Sequence, residues 1–122
     1  QGTLKVLLID DDDLIQSSTG AIMDLLGHQT TIAGSGEEAL DLLRQGLAPD
    51  IVILDMNMPG WGGAGTLPRL RERLPSVPVL LATGRADQTA LDLVEAHAKV
   101  ILLAKPFNLA ELQAHLDALA TG

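Results

Sequence analysis

Four acids stand together at Asp10 to Asp13, directly after the apolar run "LLI". Like charges this close raise the cost of ionising one another, so they call for a counter-charge. Three more polar residues close apolar runs: Asp55 after "DIVIL", Thr83 after "VPVLLA" and Lys105 after "KVILLA". Carboxylates gathered at one edge suit a hard divalent cation. Mg2+ takes oxygen ligands in an octahedron and keeps several of its waters. A hydroxyl and an ammonium on the other side of such a cation suit a phosphoryl group. A carboxylate can form an acyl phosphate, and Asp55 is the candidate nucleophile.

These residues lie far apart in the chain, so the elements that carry them must bring them together. Apolar runs alternate with helical patterns five times. "LKVLLI" and "DIVIL" are continuous apolar runs, the mark of strands covered on both faces. "HQTTIA", "VPVLLAT" and "KVILLA" complete five strands. Helices are expected over 14–26, stopped by Gly27, and over 35–46, with Ser35 as cap and Gly46 after the end. Others are expected over 66–74, 87–98 and 108–119, the last capped by Asn108. Pro68 fits the third of these helices only near its first turn.

Such alternation with short links predicts an α/β fold, a doubly wound parallel sheet with helices on both faces. The flavodoxin-like strand order 2-1-3-4-5 is the expectation. In that fold ligands sit at the carboxyl ends of the strands, near the switch in strand order. Asp10-Asp11, Asp55, Thr83 and Lys105 occupy four such ends.

Composition sets the bounds. The 122 residues fit one domain, 1–122, and the undistinctive close "ALATG" is compatible with a piece of a longer chain. Apolar residues make up 47% and aromatics 2%, so the core must be Leu, Val, Ile and Ala. A net charge of −8 argues against direct nucleic-acid binding, which needs Lys and Arg clusters. No apolar run approaches the roughly 20 residues of a membrane span, so no membrane insertion is expected. There is no cysteine, hence no disulfide framework and no thiolate metal site. A cytoplasmic location fits.

"LLIDDDDL", "DIVILDMNMPGWGG", "LLATG" and "LAKPF" together resemble the receiver domain of bacterial two-component response regulators, the CheY-like group. The intervals agree too: 44 residues from Asp11 to Asp55, 28 on to Thr83 and 22 on to Lys105. The resemblance implies roles by position. Asp55 is the phosphoacceptor and also a metal ligand. Asp11 binds Mg2+ directly, Asp10 through water, and Asn57 through its backbone carbonyl. Thr83 and Lys105 contact phosphoryl oxygens, as do the backbone N–H groups of Met56 and Gly84. The Lys105-Pro106 bond is cis. The donor is a phosphohistidine on a histidine kinase or phosphotransfer protein. The domain is not an enzyme in the ordinary sense but assists its own phosphorylation and dephosphorylation, and it passes the signal to an output domain or partner.

Simpler readings compete residue by residue. Asp12 and Asp13 are best read as acids at a helix N-terminus. Asp55 alone reads as a turn residue before Pro59-Gly60, and the spacing to Thr83 and Lys105 reverses that. His28, His97 and His115 have no ligand spacing and read as surface residues. Gly60, Gly62 and Gly65 fit G-x-G-x-x-G, but Asp55 to Pro59 separate them from the strand. They are read as a flexible loop. A nucleotide-binding flavodoxin-like module is the alternative, and a non-phosphorylated receiver-like interaction platform a second. Leu102 stands where many receivers have Tyr or Phe, which puts an aromatic switch in doubt. The segment from Asp87 to Phe107 also lacks the charges through which some receivers dimerise.

Overall fold

A computed structural model describes residues 3–56, 58, 60–84, 88–97, 99–105 and 107–121. Five strands and five helices alternate along them. The strands are β1 (Lys5–Ile9), β2 (Gln29–Ala33), β3 (Ile51–Asp55), β4 (Val79–Thr83) and β5 (Val100–Ala104). The helices are α1 (Asp13–Leu26), α2 (Gly36–Arg44), α3 (Gly62–Arg73), α4 (Gln88–Ala96) and α5 (Leu109–Thr121). All strand pairs are parallel, in the order β2-β1-β3-β4-β5, as expected from the sequence.

Side chains alternate across a strand, so each apolar run feeds two layers. Leu7, Ile9, Val52, Leu54, Val79 and Leu81 pack with Ala39, Leu40, Leu67, Leu70 and Ala90, the layer under α2, α3 and α4. Val6, Leu8, Ile51, Ile53, Leu80 and Leu103 pack with Met23, Leu112 and Leu116, the layer under α1 and α5. The central strands β3 and β4 are buried along their whole length, which is why their sequences show no polar alternation.

Local chemistry fixes the helix ends. Asp12 caps α1, its Oδ1 accepting the Leu14 N–H at 2.8 Å, and Asp13 sits in the first turn. Gly27 closes that helix at φ 83°, a left-handed conformation natural to glycine. Ser35 accepts the Glu38 N–H at 3.1 Å, and Asn108 accepts the Glu111 N–H at 2.8 Å.

One helix departs from the expectation. α3 begins at Gly62, not near Thr66, so Gly62 and Gly65 belong to the helix and only Gly60 precedes it. Pro68 consequently lies inside the helix rather than in its first turn. Both Pro68 and Ala64, whose carbonyl loses its usual donor, are on the exposed side, where water can take that carbonyl. Packing outweighs the poor helix propensity of the glycines. A Cβ on Gly63 would lie 2.8 Å from the Met56 Cα and 3.1 Å from the Asp55 carbonyl oxygen. The start of α3 thus rests directly on the end of β3, and only glycine allows that approach. Gly63→Ala is expected to cost about 2 kcal/mol, a typical overpacking penalty, read as a fall in Tm. An unchanged Tm would contradict the close contact.

Candidate functional site

The carboxyl ends of β1, β3 and β5 meet above the switch in strand order. By strand alternation Asp55 and Lys105 continue the set facing α1 and α5, together with Ile53 and Leu103. Asp10, just past β1, follows Leu8 on that same side. Asp10 and Asp55 are almost fully buried, at 1% and 3% exposure, while Asp11 is exposed. Carboxylate oxygens of Asp10, Asp11 and Asp55 lie within 4.8 Å of one another.

Lys105 supplies the internal counter-charge. Its Nζ stands 2.8 Å from Asp55 Oδ1 and 3.4 Å from Asp10 Oδ2. Its own N–H donates to the Thr83 carbonyl at 2.8 Å, which ties β5 to β4 where the ammonium leaves the sheet. Burial alone would lower the Lys105 pKa. The hydrogen bond to Asp55 and the two carboxylate charges outweigh it and hold the ammonium above its usual value. Burial pushes the Asp10 carboxyl up. The Asp12 N–H, donated to Asp10 Oδ1 at 2.9 Å, pulls the other way, the Asp55 charge pushes further up, and Lys105 opposes both.

Thr83 closes β4, one residue beyond the Asp55–Ala82 register pair, and is buried. Gly84 follows it on the surface. The Met56 N–H donates to the Ala82 carbonyl at 2.8 Å and is engaged by the sheet in this structure. The ladder between β3 and β4 runs one residue past Asp55, which is the physical reason. Asn57, and with it the carbonyl ligand, lies outside the described residues, as does the Lys105-Pro106 bond. Gln16 was missed from the sequence. Its Nε2 donates to the Asp10 carbonyl at 2.7 Å and anchors the acid pair to α1. A polar residue on the inner side of α1, six beyond Asp10, was the only signal.

A metal fits the donor set. Three carboxylates offer only hard oxygen ligands. They lie within 4.8 Å of one another, near enough to share one octahedral Mg2+, whose opposite ligands are roughly 4.2 Å apart.

A family model described as "Response regulator receiver domain" matches residues 6–117. The chain belongs to the response regulator receiver family. The relatives of this receiver sit in different molecular settings. It is 35% identical over 115 residues to the transcriptional regulatory protein CpxR of Escherichia coli, covering 94% of this chain and 48% of that protein. It superposes on the chemotaxis protein CheY4 of Vibrio cholerae with a TM-score of 0.88 at 26% identity, over 97% of this chain and 99% of that one. It superposes on the receiver domain of sensor histidine kinase PA1611 from Pseudomonas aeruginosa with a TM-score of 0.86 at 26% identity, over 99% and 100% of the two chains. That domain was crystallised with a magnesium ion coordinated in its active-site cleft. The receiver spans about half the length or less of the first curated relatives it matches. Among the described residues, no helix is long and apolar enough to cross a membrane.

Proposed function

We propose that this receiver accepts a phosphoryl group on Asp55 from a phosphohistidine of a kinase or phosphotransfer protein. The observation that carries the reading is the position of Lys105: its ammonium holds Asp55 at 2.8 Å beside two further carboxylates. An Asp55 oxygen attacks phosphorus, the bond from phosphorus to the donor imidazole nitrogen breaks, and that nitrogen leaves on a ring that ends neutral. Lys105 stays protonated throughout. Its charge, freed from part of its bond to Asp55, faces the oxygens of the transferred group. Asp11 and Asp55 would hold Mg2+ directly, with Asp10 acting through water, and a cation held there would supply charge neutralisation for the phosphoryl oxygens. Thr83 and the Gly84 N–H would close on the product from β4. Met56 would join them only after exchanging its bond to Ala82.

The donor has a surface to meet. Leu14 is 75% exposed in the first turn of α1, next to the acids. Beside it Ile15, Ser18, Thr19, Ile22, Lys105 and Phe107 line a cleft between α1 and the β5–α5 connection. An exposed leucine at the rim of a reaction site suits a partner helix. Signal output would run from Thr83 and Gly84 into α4. Leu102, half-buried beside Leu81 in the sheet, takes the place of an aromatic switch.

Incubation with Mg2+ and acetyl phosphate should add one phosphoryl group to the intact mass. Asp55→Asn should abolish the addition. Equal labelling of Asp55→Asn would overturn the assignment.

A further inference from the structure

We propose that the groove between α2 and α3 docks a short acidic segment of a partner protein that also carries an apolar anchor. The groove encloses about 320 Å3 and is lined by Leu40, Arg44, Trp61, Arg69, Glu72 and Arg73. It lies on the layer of the sheet opposite α1, so it is separate from the phosphoryl site and does not rest on the phosphoacceptor reading.

Three of the eight Lys and Arg residues of a chain with net charge −8 converge here. The helix dipole accounts for Arg44 and Arg73, each in the last turn of its helix, α2 and α3, but not for Arg69. Arg69 is held in place. Its guanidinium carbon sits 4.1 Å from the centre of the Trp61 ring, and one Nη1 hydrogen bond goes to the Gly65 carbonyl at 2.6 Å. A guanidinium has five N–H donors in a fixed fork, a geometry that matches carboxylate. Arg44 is paired with Asp41 at 2.8 Å, but their side chains are 58% and 64% exposed. Such a surface pair contributes little and exchanges readily for another carboxylate. With Glu72 and Asp41 both counted, the lining keeps a positive surplus.

The floor decides the rest of the chemistry. Leu40 and the half-buried Trp61 offer an apolar seat, which a bare inorganic anion would leave unused. A nucleic acid presents a long rod of negative charge to a chain whose own net charge is −8. A short segment with carboxylates flanking one apolar side chain meets only the groove.

The test uses a fluorescein-labelled peptide, acetyl-Glu-Glu-Leu-Glu-Glu, with the receiver as titrant and anisotropy as readout. A saturable rise is expected that weakens with added salt. A peptide with Gln in place of Glu should not bind. The double variant Arg44→Glu and Arg73→Glu should bind at least about tenfold more weakly, since reversed charges repel. The double variant should melt cooperatively at a somewhat lower temperature, since two last-turn cations become anions, and should keep its response to beryllofluoride with Mg2+; the milder Arg73→Gln should give an intermediate loss of binding. No saturable rise up to millimolar receiver would overturn the proposal. So would equal binding of the Gln peptide, undiminished binding by the double variant, or tighter binding of a DNA duplex than of the peptide. Loss of the beryllofluoride response in the unaltered protein would count against Asp55 chemistry and leave the docking result standing.

Discussion

Lys105→Met is expected to lower the rate of phosphorylation by acetyl phosphate roughly a hundredfold, the scale of losing one preorganised charge in a reaction site. Methionine keeps most of the apolar stem, so the change isolates the ammonium. Without it, Asp10 and Asp55 remain buried beside each other and lose the ammonium that both of them bind. Breaking a buried charge set by removing one partner costs several kcal/mol. The Lys105 side chain is 21% exposed, and solvent screening reduces the penalty to about 2 kcal/mol. The effect has a pH signature. The Lys105 pKa is raised in the fold, so its contribution is fully present below the ordinary value of 10.5 and is lost as pH rises through the higher folded value. The variant should therefore differ from the unaltered protein at neutral pH and converge on it in strong alkali. At low pH the difference should also shrink, because the two carboxylates then carry protons. Urea unfolding across pH reads both limbs. A constant difference over the whole range would contradict the ion cluster.

Asp11→Ala is expected to weaken Mg2+ binding by at least about tenfold and to slow phosphorylation in parallel, since only two of three hard oxygen donors remain. Isothermal titration follows the binding. A second variant separates the metal from the fold. Asp10 is buried with its carboxyl pushed above the usual 3.8. A raised acid holds its proton more tightly in the fold than in the unfolded chain. Stability from this group is therefore greatest at low pH and falls as pH rises from 3.8 through the folded value. Asp10→Asn retains an acceptor for the Asp12 N–H. It should raise metal-free stability at pH 7 by about 1 kcal/mol, roughly 3–5 °C in Tm, and remove that fall. An unaltered Mg2+ titration in Asp11→Ala would count against the site, and a lower metal-free Tm in Asp10→Asn would contradict the cost of its buried charge.

The sheet was legible because its signals are local. Five apolar runs, the caps at Ser35 and Asn108 and the stop at Gly27 each act within a few residues. Strand order followed from general rules for parallel sheets, and the meeting of Asp10, Asp11, Asp55 and Lys105 followed from order plus strand ends. What was not legible depended on contacts across space. An all-apolar strand does not say which residue faces which layer, so the shared side of Asp55 and Lys105 had to come from the packing. Gly62 to Gly65 read as a loop because glycine is a poor helix former. They form a helix because Gly63 must touch Met56. The β3–β4 ladder continues past Asp55, the Met56 N–H donating to the Ala82 carbonyl, and that contact across space is not written in either strand alone. The Arg44, Arg69 and Arg73 cluster spans two helices and is invisible in either alone.

The central claim, that Asp55 itself carries the phosphoryl group, is tested most directly by locating the modification. Borohydride reduces an aspartyl phosphate to homoserine and releases phosphate, and peptide mass spectrometry places the altered residue. After treatment with Mg2+ and acetyl phosphate, homoserine is expected at position 55 alone and absent when Mg2+ is chelated. Homoserine at Asp10 or Asp11, or an unmodified position 55 in protein that has gained a phosphoryl group, would contradict it.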